Sequence, residues 1–301
     1  MPSVSVVITT YNRAQLLPRA IESALKAGTD LEVIVVDDCS TDETANVCGQ
    51  LEGIRYVRLG SNKGLANARN VGIAESSSEF IAFLDDDDLR LPNSLETQLR
   101  AITSDPRYAF CYGPALIADA RRQLPTGEIY PLVCTQGDIY WELLEHNFIP
   151  MPSVLARKSS LLERDGFNLQ FDRVADWDMW LRLSERSLVA AVNTPVSIYR
   201  KAIADSKQMC SNAAELCKEG LRVQQTALNS PRARSASRKQ RKSVERKFRD
   251  RAYEILMTEA TYSLHEGNTE SARVNLAHAF RLRPFRTVVS GRLPWLLFAE
   301  P

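Results

Sequence analysis

Two runs of aspartate are the side chains best placed to do chemistry: Asp37-Asp38 directly after LEVIVV, and Asp85-Asp86-Asp87-Asp88 directly after FIAFL. A single acidic pair after an apolar run reads as a turn or helix cap. Four in succession repel one another unless a cation or a solvated surface relieves the charge. Oxygen ligands with no neighbouring His or Cys select a hard ion, Mg²⁺ or Mn²⁺, over zinc. A further carboxylate, Asp176, opens the segment Ala175-Asp176-Trp177-Asp178-Met179-Trp180-Leu181-Arg182-Leu183, in which Met179 and Leu183 recur at helical spacing. At a helix N-terminus the dipole favours a carboxylate. Asp176 reads either as an N-cap or as a general base facing a pocket, with the flat ring of Trp177 suited to a sugar face.

The elements that must position these groups alternate along the first two-thirds of the chain. Short β-branched runs at Ser3–Thr10, Leu31–Val36, Ile54–Leu59 and Phe80–Leu84 read as strands buried on both faces. Between them lie helical segments at Arg13–Lys26, from Ser40/Glu43 to Leu51, and at Leu65–Glu75. Asn12 with Gln15, Ser40 with Glu43, and Asn93 with Glu96 are spaced as capping boxes, and Pro18 predicts a late start or a bend in the first helix. Asp138–Glu145 reads as a helix and Ser153–Ala156 as a strand. This β-α-β-α order predicts an α/β fold, a mostly parallel sheet between helices. Ligands of such sheets bind beyond the carboxyl ends of the strands, which is where both acidic runs and Thr9-Thr10-Tyr11 fall.

Composition and missing motifs narrow the class. The 301 residues carry a net charge of +1, with 44% hydrophobic and 25% charged side chains, ordinary globular values. No apolar run reaches the roughly 18–20 residues of a membrane span, and Met1-Pro2-Ser3-Val4 lacks a signal-peptide pattern. Six scattered cysteines without a C-x-x-C pair read as reduced thiols of a cytoplasmic protein. The sequence contains neither G-x-G-x-x-G after the first strand, nor a P-loop, nor a G-x-S-x-G elbow. His146, His265 and His278 are too widely separated to read as a metal site or triad.

The segments SVVITTYNR, VIVVDDCSTDET, NKGLANARNVGI, FIAFLDDDD with Pro92, and ADWDMWLRL resemble, in this order, those of family 2 glycosyltransferases, over about residues 1–200. The resemblance implies the GT-A fold, a Rossmann-like sheet sandwiched by helices, and an inverting enzyme that uses a nucleotide-sugar donor. It implies that Thr9 and Tyr11 line the nucleotide pocket, that Asp38 accepts from the base, typically uracil, and that Asn62 to Arg69 complete the nucleotide wall, with Arg69 the main charged contact. Asp85-Asp86-Asp87 matches the D-x-D element, with Asp85 and Asp86 near ribose and diphosphate and Asp87, alongside Asp85, holding Mn²⁺ or Mg²⁺. Asp176 matches the catalytic base, and Trp177 and Asp178 are acceptor-side candidates. Ala175 stands where the family usually has Glu. Lys201-Ala202-Ile203 follows Tyr199-Arg200 where many members have a His, so a His contact to metal or phosphate is absent there.

The expected reaction follows from charge. A departing nucleoside diphosphate needs positive charge nearby, and the acceptor hydroxyl needs a base to take its proton as it attacks the anomeric carbon from the opposite face. A nucleotidyltransferase of similar fold is a competing reading, opposed by the lack of a Gly- and Lys/Arg-rich triphosphate loop after the first strand. A catalytically silent binding protein acting through its tail is another, opposed by intact Asp87 and Asp176.

Residues 1–205 hold 20 basic and 28 acidic side chains, a balance of −8, and residues 206–301 hold 18 and 9, a balance of +9. The change predicts a glycosyltransferase domain over 1–205 and a basic, mainly helical extension over 206–301. In the extension, Ala252–Leu264 and Ser271–Leu282 read as a hairpin resembling one tetratricopeptide-like unit. Arg232–Arg251 contains ten Lys or Arg and only Glu245 and Asp250. It reads as a solvated helix face or as a contact for anionic lipid headgroups, helped by the apolar run Leu293–Phe298. The expected location is then cytoplasmic, peripheral at the inner membrane face, with a glycan or lipid-linked acceptor. No nucleic-acid partner is expected, because the basic stretch lacks interleaved aromatics.

Overall fold

Strand β1 (Val4–Thr10) is buried along its whole length, as a strand covered on both faces must be. The computed structural model describes residues 3–119, 125–200 and 212–289. After β1 come α1 (Leu17–Leu25), β2 (Leu31–Asp37), α2 (Thr44–Gly49), β3 (Ile54–Arg58), α3 (Leu65–Glu75), β4 (Phe80–Asp85), β5 (Leu89–Arg90) and α4 (Ser94–Thr103). They are followed by β6 (Tyr108–Tyr112), β7 (Ala115–Ala118), β8 (Pro125–Tyr130), α5 (Tyr140–Glu145), β9 (Val154–Arg157), α6 (Lys158–Leu162), α7 (Ala175–Ser184), β10 (Leu188–Ala191) and β11 (Ser197–Arg200).

A seven-stranded sheet has the order β10-β6-β9-β4-β1-β2-β3, and a four-stranded sheet the order β5-β11-β7-β8. In the larger sheet only β9 runs antiparallel, against both β4 and β6. Val6, Ile8, Val35 and Leu84 on one face pack with Leu17, Ile21 and Ala24 of α1 and Leu95 and Ile102 of α4. On the other face α3 approaches β1 so closely that a Cβ on Gly72 would lie 2.2 Å from a methyl of Val7. This sheet flanked by helices is the α/β arrangement expected from the alternation of strands and helices.

Strand register settles where the chemistry gathers. β1 pairs in parallel with β2 and β4 so that Thr10 lies opposite Asp37 and Thr9 opposite Asp85. The ends of all three strands are level, and both acidic runs emerge on one rim. Arg90, fully buried in β5, ties the smaller sheet to the larger: it donates to Gln98 Oε1 at 2.7 Å and to the Val154 carbonyl at 2.5 Å.

The expected capping boxes are replaced by ties between loops. Asn12 has a left-handed backbone (φ 54°); its Oδ1 accepts from the amides of Thr41 (2.7 Å) and Asp42 (3.3 Å). Ser40 Oγ accepts from the Asn12 amide at 2.9 Å. The first helix starts at Leu17, with Pro18 in its first turn, because Pro needs no amide partner there. Neither Glu43 nor Asn93 makes a side-chain cap bond.

By its internal contacts the chain divides into two units, residues 1–143 with 147–202, and residues 144–146 with 203–301. The described part of the second unit holds α8 (Ala213–Leu228), α9 (Pro231–Ser235), α10 (Arg238–His265), α11 (Thr269–Leu282) and α12 (Pro284–Val289). Asn212, Ser230, Ser237 and Asn268 cap the first four by accepting an amide three residues on, as N-caps do. Leu256, Ala260, Leu276 and Ala279 are buried where α10 and α11 fold on each other through Glu266-Gly267-Asn268. The expected arm Ala252–Leu264 is the second half of a 28-residue helix. Leu293–Phe298 lies outside the described residues, as do Cys210 and Lys201-Ala202-Ile203.

Candidate active site

The rim above β1, β2 and β4 is assembled from buried carboxylates whose partners are mostly fixed by the fold. Asp37 is completely buried; it accepts from the Ser40 amide at 2.8 Å and the Tyr56 hydroxyl at 2.5 Å. Burial and this carboxylate push the Tyr56 phenol upward. Asp37 therefore holds the rim together. Asp38 is also buried, and its two oxygens accept from the amides of Lys63 and Gly64, each at 2.8 Å. Gly64 can present its amide this way because its backbone lies at φ 87°, a region closed to most side chains. Thr9 is buried near the end of β1, Tyr11 just beyond that strand is 45% exposed, and Asn62 is exposed in the Gly60–Gly64 loop.

Arg69 projects from α3 and is almost wholly buried. Its guanidinium lies over the Phe167 ring, 5.5 Å from the centroid, and donates to Asp85 Oδ1 at 2.8 Å. The ring is held in place by the next residue of the helix: Asn70 Nδ2 donates to the Phe167 carbonyl at 2.8 Å, and the Phe167 amide donates to Asn70 Oδ1 at 2.7 Å.

The remaining aspartates of the second run point to different partners. Asp86 accepts from Thr10 Oγ1 (2.8 Å) and Arg13 Nη1 (3.1 Å). Burial outweighs the Arg13 charge and pushes its carboxyl up to about 7. Asp87 Oδ2 accepts from both Arg13 Nη1 (2.7 Å) and Arg200 Nη2 (2.6 Å). Asp88 is buried and accepts from the Arg200 amide at 2.8 Å; burial raises its carboxyl well above the ordinary range.

Asp176 sits in the first turn of α7, half-buried. It accepts from the Trp177 amide at 2.7 Å and from Asn147 Nδ2 at 3.1 Å. Burial raises its carboxyl; the Arg69 charge opposes this and the Asp85 charge adds to it. Asp176 is thus in electrostatic contact with Arg69 and Asp85, which arrive from α3 and β4. The fold brings these three groups into one neighbourhood from positions 69, 85 and 176.

Two acceptor-side expectations are corrected. Trp177 is 3% exposed and its indole N–H donates to the Leu143 carbonyl at 2.7 Å, so its ring is core and offers no face to a sugar. Asp178 is equally buried and pairs with Arg182 at 2.8 Å. Arg182 in turn donates to the carbonyls of Arg164 (2.5 Å) and Gly166 (2.9 Å). Asp178 therefore braces the turn that presents Phe167 to Arg69. Arg13, Arg200, Asn147 and Phe167 are the rim residues that sequence reasoning left without a role. Arg13 and Arg200 were visible only as members of the TTYNR and Tyr-Arg segments, and Asn147 carries no signal in the sequence.

Among the described residues, no three His, Cys, Asp or Glu side chains are grouped as a metal cage. The two carboxylates expected to hold a hard ion are each paired with arginine here, Asp85 with Arg69 and Asp87 with Arg13 and Arg200. Mg²⁺ commonly takes one or two carboxylates and completes its shell with phosphate oxygens and water.

Comparison with known proteins agrees with this geometry. The sequence profile described as "Glycosyl transferase family 2" matches residues 5–163, more than half of the chain. An uncharacterized glycosyltransferase of Haemophilus influenzae is 30% identical over 183 residues, 60% of this chain and 61% of that protein. Chondroitin synthase of Pasteurella multocida is 31% identical over 189 residues, 62% of this chain but 19% of that protein. The chain thus spans less than two-thirds of these relatives. Among solved structures, S. aureus TarS residues 1–349 in complex with UDP-GlcNAc superimposes with a TM-score of 0.67 at 19% identity, covering 95% of this chain and 82% of that one; the likeness is one of fold, the GT-A fold. With a parallel sheet whose acidic strand ends meet on one rim and a profile match over residues 5–163, the chain belongs to glycosyl transferase family 2.

Proposed function

We propose that the protein is an inverting glycosyltransferase that takes a sugar from a nucleoside-diphosphate donor, UDP-linked, and passes it to a hydroxyl of a glycan or lipid-linked acceptor. The observation that carries the reading is Asp176 in the first turn of α7, its two oxygens held by the Trp177 amide and Asn147 Nδ2, with burial raising its carboxyl. Tyr11 and Thr9 flank the nucleoside, Asp38 and the loop carrying Asn62 receive the base, and Arg69 with Asp85 and Asp86 fixes the ribose and diphosphate side. The family membership supports sugar transfer, and the UDP-GlcNAc held by TarS, a protein of the same fold, supports a nucleotide-sugar donor.

In this reading Asp176 takes the acceptor proton while the hydroxyl attacks. The Asn147 amide and the Trp177 N–H orient its two oxygens, so the base is aimed before the acceptor arrives. Such a base contributes ~10²–10⁴-fold, and the alignment of donor with acceptor contributes much of the rest. Mg²⁺ or Mn²⁺, when bound by Asp87 and Asp85, supplies Lewis-acid stabilisation of the diphosphate charge. Incubating the purified protein with a panel of UDP-sugars and Mn²⁺ tests the reading: release of UDP that depends on Asp176 and Asp87 supports it. No UDP release and no donor-induced thermal stabilisation with any sugar nucleotide would overturn it.

The basic extension fits peripheral contact with an anionic membrane. Arg234, Arg238, Lys239, Lys242, Arg246 and Arg249 are exposed, and none makes an ion pair among the described residues. No helix of the described residues is long and apolar enough to cross a bilayer. Each cation near an anionic surface contributes about 1 kcal/mol. Flotation with phosphatidylglycerol vesicles that is lost in high salt supports the contact; absence of flotation at low salt removes it.

A further inference from the structure

We propose that Gln224 of α8 is a positioning residue for Asp176, and that the helical extension aims this carboxylate through the short segment Leu144–Asn147. The inference rests on the reading of Asp176 as the base and goes beyond it in naming what steadies the residue that orients that base.

At the end of α5 the chain passes from one unit to the other and back. Leu143 belongs to the first unit, Leu144–His146 to the second, and Asn147 to the first again. A helix leaves its last four carbonyls without intrahelical partners, and two of those in α5 are met by side chains. The Leu143 carbonyl accepts from the Trp177 indole at 2.7 Å, and Trp177 is the residue next to Asp176. The following carbonyl, of Leu144, accepts from Gln224 Nε2, also at 2.7 Å. Gln224 is 2% exposed and donates as well to the Val244 carbonyl of α10 at 3.3 Å, so a single amide group ties Leu144 to α8 and α10 together.

The other two residues of the segment are fixed within the same unit. Lys247 of α10 donates to Glu145 Oε1 at 2.6 Å, placing a cation at a helix C-terminus, where the dipole favours one. Burial, with the Arg251 charge, pushes the His146 imidazole down to about 4, so His146 is uncharged at neutral pH. Asn147 comes one peptide later, about 3.8 Å from Cα to Cα, and its Nδ2 donates to Asp176 at 3.1 Å. Three residues packed in the second unit thus separate the two, Leu143 and Asn147, through which the first unit holds Trp177 and Asp176.

A donor that merely satisfied a buried carbonyl would affect stability alone. Gln224 differs in the place of the carbonyl it meets, between the anchor of Trp177 and the anchor of Asp176. Removing Nε2 strips the Leu144 carbonyl of this buried partner; the segment shifts toward another, and Asn147 shifts with it. Catalytic geometry is steep, and a misplacement of ~1 Å costs about 10²-fold. Asp38, Arg69 and Asp85 are fixed from β2, α3 and β4 and do not depend on this segment. Turnover is therefore lost while donor affinity is kept.

The test uses the full chain with Mn²⁺, the panel of UDP-sugars and water as acceptor, reading UDP release for turnover and calorimetry for donor affinity. Gln224→Met, which keeps the length and loses the amide, lowers turnover about tenfold to a hundredfold at unchanged donor affinity. Asn147→Leu also lowers turnover. In the double variant Gln224→Met adds no further loss of turnover, although it still lowers the urea midpoint, because its effect on the base passes through Asn147. Should Gln224→Met not fold, Lys247→Glu carries the test from a side chain that is 54% exposed. Facing Glu145 it lowers turnover about threefold, and the exchanged pair Lys247→Glu, Glu145→Lys recovers it. A folded Gln224→Met protein with wild-type turnover would overturn the proposal, as would losses that multiply in the double variant or an exchanged pair that recovers nothing. If Asp176→Asn is inactive and the Gln224 and Lys247 variants are not impaired, this inference alone falls. If Asp176→Asn turns over as wild type does, or wild type releases no UDP from any sugar nucleotide, the underlying reading falls and this inference with it.

Discussion

Asn70 and Phe167 exchange two hydrogen bonds, side-chain amide to carbonyl and main-chain amide to side-chain oxygen, across 97 residues of sequence. Because Arg69 precedes Asn70 on α3, the pair sets the ring directly under the guanidinium that meets Asp85. Replacing Asn70 with Ala strips both partners from the Phe167 backbone. Each buried group left unsatisfied costs ~1–3 kcal/mol, so Asn70→Ala lowers the unfolding midpoint in urea and also weakens donor binding through Arg69. A variant with wild-type stability and unaltered donor affinity would contradict this linkage.

Asp176→Asn keeps the shape of the rim and removes the carboxylate proposed as the base. Donor affinity by calorimetry stays near wild type, while the transfer rate falls by ~10²–10⁴-fold. Full transfer activity in the purified variant would take the base role from Asp176.

The acidity of Asp176 gives a pH signature. Its carboxyl is raised above the ordinary aspartate value by burial, so the charged, proton-accepting form is lost as pH falls through that raised value, and the rate falls with it. Asn147 donates to Asp176 and favours the charged form. Asn147→Leu therefore shifts the acid limb of the pH–rate profile to higher pH. A shift to lower pH, or none, would show that Asn147 does not tune the base. The stability linkage has the opposite sign: a carboxyl whose folded value is raised binds more protons in the folded state. Its contribution is fully present below the unfolded value, and it is lost as pH rises through the folded one.

Asp178→Ala separates a bracing role from an acceptor-binding one. Loss of the carboxylate leaves Arg182 without its ion pair and loosens the Arg164–Gly166 turn. Stability drops by roughly 1–3 kcal/mol, and the KM for acceptor changes less than the KM for donor, since Phe167 and Arg69 lie downstream. A large change in acceptor KM alone, with full stability, would restore the acceptor reading.

Gly72→Ala tests the closeness of α3 and β1. The added methyl would meet Val7 at 2.2 Å, and overpacking of this kind costs typically ~1–3 kcal/mol. A Gly72→Ala, Val7→Ala double variant recovers part of the loss; no recovery would place the strain elsewhere.

Much of the first unit is legible in the sequence because β1, β2 and β4 are short, mainly apolar runs that stop at Asp or Thr-Tyr, so their ends announce the rim. The antiparallel β9 is not legible: Val154–Arg157 is four residues of ordinary strand composition, and nothing in it encodes direction. The role of Trp177 is misread for a related reason. Ala175, Trp177, Met179, Trp180, Leu181 and Leu183 are all buried, so α7 is enclosed on nearly every side and its aromatic next to Asp176 has no open face. In the second unit the charged first half of α10 hides its continuity with Ala252–Leu264, since helical periodicity is read from apolar residues and few occur before Val244. Arg13 and Arg200 escape notice because a convergence on one oxygen is a property of three-dimensional closure, written in neither segment alone.

The way Asp38 is held has a consequence for engineering. Both of its oxygens are met by main-chain amides, so the side chains at Asn62 and Lys63 are not what anchors it. In the proposed reading, a mutant library at those two positions can therefore be screened for altered nucleobase preference while the carboxylate stays put, provided Gly64 remains glycine.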